Sequence, residues 1–162
     1  MTSRCPFIVA AVLCCVVAVV ASTMCPQATA AQQPEAKDAT LRTLLAARSL
    51  KCAFGTNAVA DWKSGTPKVT VGREDFGLHF DSIDSKAQKA RLIGNQGAGD
   101  INAFATPAGL HFMEQTGFGN INFTTVFASR ASGGFIAVAS RHVDLLGGPL
   151  PSQYHGVCKV WQ

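Results

Sequence analysis

Little in this chain announces a chemistry. Neither Cys-x-x-Cys nor His-x-x-x-His spacing occurs, so the local ligand pairs of zinc sites are missing and no metal is expected. Gly94, Gly97 and Gly99 invite a phosphate-loop reading. No Lys-Ser or Lys-Thr follows them, however, and a dinucleotide fingerprint needs a third glycine where Asn102 stands. A Gly-x-Ser-x-Gly nucleophile elbow is absent. Lysine and arginine are scattered, densest at Lys86, Lys89 and Arg91, without the basic stripe and aromatic platforms that a nucleic-acid partner requires. The formal charge of +4 gives only a weak surface field. No repeat of fixed period and no low-complexity tract is present, which sets aside solenoids and arrays. No cofactor and no nucleic acid is expected.

The first thirty residues differ from the rest. Met1-Thr2-Ser3-Arg4 carries one positive charge and no acid, and residues 6–21 are apolar and uncharged. A short polar stretch follows from Ser22 to Gln27, then the small-x-small site Ala28-Thr29-Ala30. That is the order of a secretory signal peptide, cut after Ala30 or, as second choice, after Ala21. An uncleaved anchor would want roughly 20 consecutive apolar residues, and the run falls short before Ser22. A lipid on Cys25 is disfavoured, because Ser22 and Met24 stand where a lipoprotein signal wants an aliphatic and a small residue. The chain is therefore expected to be exported, to a periplasm or the extracellular space, with no membrane span once residues 1–30 are removed.

Cleavage takes away Cys5, Cys14, Cys15 and Cys25 and leaves Cys52 and Cys158, one near each end of the remaining domain. In an oxidising compartment such a pair reads as one disulfide. Two buried free thiols are the rival reading.

Residues 31–37 are polar and aperiodic and are expected to form a flexible leader before a single domain over 38–162. Leu41, Leu44 and Leu45 recur at i, i+3 and i+4 after Asp38, a capping residue, so a helix is predicted over 38–49. Three leucines make one apolar stripe, which suits a lid on a β core better than a partner-binding helix. From Leu50 the period changes to two, with turn signals every eight to twelve residues. Strands are predicted over 50–56, 68–72, 77–83, 89–93, 100–105, 110–115, 120–129, 134–142 and 156–161.

Alternation places Leu78 and Phe80 on one face, opposed by His79 and Asp81, and Leu110 and Phe112 opposed by His111 and Met113. Ile121, Phe123, Thr125 and Phe127 share a face opposed by Asn120, Asn122, Thr124 and Val126; Phe135, Ala137 and Ala139 share another. The expected inward rings are Phe80, Phe112, Phe123, Phe127 and Phe135, with Trp62 as a loop anchor and Trp161 in the core or as a cap. A Cys52–Cys158 link would tie the first strand to the last, which is how an antiparallel barrel closes and removes its edges. The expected fold is mainly β: a small antiparallel β-barrel, in preference to a sandwich, of about eight strands with one short N-terminal helix.

Four dispersed histidines remain: His79, His111, His142 and His155. His79 and Asp81 sit at i and i+2 on one strand face, where a carboxylate could orient a general acid or base; on a wet face they make an ordinary surface contact. Ser140-Arg141-His142 is an abrupt polar cluster ending an apolar strand, as at a barrel mouth, with Arg141 suited to a carboxylate or phosphate. The rival role for Arg141 is an ion pair with Asp144, Asp81 or Asp84. His111 with Glu114 repeats that ambiguity, and Asn122-Phe123-Thr124 matches a glycosylation acceptor inside a predicted strand. The expected function is a non-enzymatic binding module for a small apolar ligand or a protein partner, with Arg141, His142 and His111 as ligand contacts. The alternatives are a hydrolase- or lyase-type enzyme using His79, Asp81, Arg141 and His142, and a structural envelope or extracellular domain.

Overall fold

A computed structural model describes residues 32–162, apart from 63–64, 95–96 and 146–147. The expected signal peptide and its cleavage sites lie outside the described residues. Helix α1 (Gln32–Leu45) precedes β1 (Leu50–Asp61), β2 (Lys68–Gly72), β3 (Phe76–Asp84), β4 (Lys89–Gly94), β5 (Gly97–Thr106) and β6 (Gly109–Gln115). Then come β7 (Ile121–Ala131), β8 (Gly134–His142), the two-residue strands β9 (Asp144–Leu145) and β10 (Gly148–Pro149), and β11 (Ser152–Val160). Strands 68–72 and 134–142 end where alternation places them. β1 runs further, to Asp61, and β11 begins earlier, at Ser152.

The helix starts at Gln32, so most of the stretch expected as a leader is helical, and it stops at Leu45 rather than near Ser49. Glutamine, glutamate, alanine and lysine are good helix formers, and Pro34 falls in the first turn, where a missing N–H costs nothing. Periodicity alone misses such a segment because it carries no apolar stripe.

Neighbours round the sheet are β1, β3, β4, β5, β6, β7, β8 and β11, and β11 pairs back onto β1. Every pairing is antiparallel. The result is a closed eight-stranded barrel in which strands follow one another round the ring. β2 continues the place of β3 toward one end: it pairs with Asn57–Asp61 of β1, whereas β3 pairs with Leu50–Phe54. Partners followed round from Lys89 lead through Asn102, Met113, Phe123, Ser140 and Gln153 to Ala58. In the other direction Lys89 meets Asp84, beyond the Phe80–Leu50 pair that ends the β1 ladder. The strands are thus steeply inclined to the barrel axis, as closure demands.

Cys52 and Cys158 face each other across the closing seam, 3.9 Å apart at Cα, and form the expected disulfide. The opposed pair Phe54 and Gly156 lies on the same seam, where a Cβ on Gly156 would drive into the Ala53 carbonyl. Only glycine lets the two backbones approach this closely.

β6 stands opposite β1 in the ring, yet α1, which leads into β1, packs against β6 and β7. The helix therefore crosses the barrel end and acts as the expected lid. Leu44 is wholly buried there, and the Arg48 guanidinium donates to the Ile83 carbonyl at 2.9 Å while the Ile83 N–H donates back to Arg48.

Leu78 and Phe80, Leu110 and Phe112, and Phe135, Ala137 and Ala139 point inward as expected. β7 is turned the other way. Its Asn122, Thr124 and Val126 pair with Glu114, Phe112 and Leu110 on one side and with Arg141, Ala139 and Ala137 on the other. Opposed residues share a face, so Phe123 and Phe127 lie outside, with Phe123 42% exposed. Ring size suggested the core, but the ladders decide the face, and Phe80 with Phe112 already spans the lumen. Trp161 is likewise outside, 50% exposed, with the Lys51 ammonium 3.2 Å above its ring.

Candidate functional site

The two ends of the lumen are finished differently. Phe80 of β3 and Phe112 of β6 stack across it, their centroids 3.9 Å apart and planes 8° apart. Beneath them Leu44, Leu50, Ile83, Ala90, Leu110 and Val126 form a dry core up to the helix. Toward the other end the ladder between β5 and β6 stops at Asn102 and Met113. Beyond it Ala98 to Asp100 stay with β4, while Glu114 and Gln115 stay with β7, so the wall parts. A cavity of about 570 Å³ opens at this split, floored by the stacked rings. Its rim carries Gly94, Gly97 and Gly99, positions that add no side chain to obstruct access.

The lower wall is apolar, from Phe76, Leu78, Leu92, Ile101 and Ala139. One polar row crosses the upper wall, because Glu114, Asn122 and Arg141 are successive cross-strand partners on β6, β7 and β8. Asn122 Nδ2 donates to Glu114 Oε2 at 2.7 Å. Among the described residues, Asn122 Oδ1 and Thr116 Oγ1 are buried without a hydrogen-bond partner. The Arg141 guanidinium lies 5.7 Å from the Phe76 ring centre. Among the described residues it is joined to none of Asp81, Asp84 and Asp144, the expected structural partners: Asp81 accepts from Ser82, Asp84 from its own turn, and Asp144 donates its N–H to Asn120.

The remaining expected residues stand elsewhere. His79 points outward, with Nε2 2.9 Å from Ser49 Oγ. Asp81 shares that outer face, so neither reaches the lumen. His111 is also outside, held between Thr106 Oγ1 at 2.9 Å and Thr125 Oγ1 at 3.1 Å. His142 is exposed beside Phe123, at 6.4 Å between ring centres, and borders a shallow outer groove with Ala58, Ala60 and Val69. His155 is exposed too. Alternation is the cause throughout: each histidine follows or precedes an inward neighbour by one residue. Arg141 alone of the expected set lines the cavity, so the four residues of the hydrolase or lyase alternative do not meet. Asn122, read as a glycan acceptor, points into the lumen with its amide nitrogen engaged.

The sequence reading overlooked Asn122 and Thr116 as site residues. For Asn122 the missing signal was its register between Glu114 and Arg141, which needs the pairing. Among the described residues no three His, Cys, Asp or Glu side chains gather as a metal site, and no helix is long and apolar enough to cross a membrane. Comparison with family models, curated proteins and solved structures finds no match to this chain.

Proposed function

We propose that this chain is an exported binding protein that holds one small molecule with an apolar body in the barrel lumen. The observation that carries the reading is the cavity itself. Its volume of about 570 Å³ lies within the range that takes a drug-sized ligand, and its apolar wall with a few convergent polar groups is the usual build of such a site. A barrel with no need of a ligand would fill this space with side chains, as this one does below Phe80 and Phe112. The disulfide suits an oxidising periplasmic or extracellular setting. His79 and Asp81 lie outside, away from the cavity, which favours binding over the hydrolase or lyase alternative built on them.

Titration with the neutral fluorophore N-phenylnaphthylamine tests this. One site per chain is expected, lost in Gly99→Phe, whose ring would occupy the rim. The Cβ of that variant meets nothing within 4 Å, so its unfolding midpoint should stay that of the parent. Absence of binding, or binding that Gly99→Phe leaves untouched, overturns the proposal.

A further inference from the structure

Resting on that reading, we infer that the lumen takes a carboxylate amphiphile, its head on Arg141 and its apolar body on the Phe80–Phe112 floor. The polar row is asymmetric in what it leaves unanswered. Glu114 has one carboxylate oxygen satisfied by Asn122 Nδ2, and Asn122 keeps it apart from Arg141, since the three are neighbours in that order. Arg141 carries five N–H donors and is half-buried. Among the described residues its guanidinium meets the Phe76 ring, 5.7 Å from the ring centre, and no carboxylate. A cation–π contact at that distance engages none of the N–H donors, and the guanidinium fork matches the two oxygens of a carboxylate. Asp100, the other acid on the rim, pairs across the ladder with Arg91, on the strand face opposite to inward-pointing Ile101. The charges facing the lumen are therefore Glu114, already hydrogen-bonded, and Arg141, still open. The buried Asn122 Oδ1 and Thr116 Oγ1 belong to the same cavity wall, so the head group would meet polar walls while the body meets carbon.

The experiment compares decanoate, decanol and decylamine by competition against N-phenylnaphthylamine in the parent protein and Arg141→Met, with direct probe titration of Gly99→Phe as the control for the lumen. Methionine keeps a long flexible stem and removes the charge. In the parent, decanoate should bind roughly ten- to hundredfold tighter than decanol, the range of a charge-assisted bidentate pair, and decylamine weakest. Arg141→Met should remove the preference for the acid and leave decanol unchanged. Decylamine binding tightest would assign the head group to Glu114 and overturn the inference. Equal binding of acid and alcohol, or an acid preference that survives Arg141→Met, overturns it as well while leaving the lumen reading intact. If decanol fails to displace the probe from the parent, or if Gly99→Phe binds the probe as the parent does, the lumen reading falls and this one with it.

Discussion

Breaking the crosslink between β1 and β11 is the perturbation whose size the structure defines most directly. Cys52 and Cys158 are 106 residues apart in sequence. Under the loop-entropy model a closure of that length disfavours the unfolded chain by about 4.8 kcal/mol. The folded side should change little, because the β1–β11 ladder runs from Leu50 with Val160 to Val59 with Ser152 and holds the seam without the sulfurs. Both cysteines are buried, at 5% and 0% exposure, so alanine in their place removes little beyond the bond. The Cys52→Ala, Cys158→Ala double variant should therefore fold, bind the lumen probe as the parent does, and unfold with about 4 to 5 kcal/mol less stability. At about 3 °C per kcal/mol for a domain of this size, the midpoint should fall by roughly 15 °C.

Urea titration followed by tryptophan fluorescence measures the stability difference, and thermal unfolding followed by circular dichroism measures the midpoint. The denaturant slope should rise, since an uncrosslinked chain exposes more surface on unfolding. A stability difference under about 1 kcal/mol with an unchanged slope would refute the entropic account. Alkylation that labels both sulfurs of unreduced protein would remove its premise.

Other substitutions probe the barrel and its floor. Gly156→Ala forces a methyl into the Ala53 backbone and should cost roughly 3 kcal/mol or more in urea unfolding, the upper end of overpacking, while Gly99→Ala should cost under about 1 kcal/mol. Phe112→Ala removes half of the stacked floor; a loss of about 3 to 5 kcal/mol is expected, with tighter binding of longer apolar probes, and a dry unchanged capacity would show that the floor does not bound the cavity. Asp84 accepts from the Ala87 and Lys86 N–H groups, led by the former, and these hold its carboxyl below the usual range. A lowered folded value means the contribution is present above about pH 4, the unfolded value, and is lost as pH falls through the folded one. Asp84→Ala should thus flatten the acid limb of the stability curve, and an identical limb in parent and variant would count against it. His142→Ala and His79→Ala should leave probe affinity within twofold, and a larger loss in either would return that histidine to the site.

From the residues in order alone, several features were decided. Period-two alternation with recurrent turn signals made the domain β-rich, and two cysteines near its ends placed the seam. Inward pairs such as Leu78 with Phe80 and Phe135 with Ala137 followed from hydrophobicity, because burial of carbon is the same force wherever the strand lies. The proposed export rests on residues 1–30 of the sequence alone. Polar residues were less legible. Whether Asn122 or Phe123 faces the lumen depends on which residue of β6 and β8 stands opposite. That register is a non-local property, since a shift by one residue exchanges the two faces. The helix start was similarly hidden, because residues 32–37 carry propensity without an apolar stripe.

The tertiary structure alone decided that Arg141 enters the cavity while His142, its neighbour, leaves it. It also decided that Glu114, Asn122 and Arg141, distant along the chain, form one row. The inclined strands and the early end of the β5–β6 ladder opened a space that no residue type specifies. Composition sets how much carbon must be buried; only closure of the ring determines where the packing stops and a cavity begins.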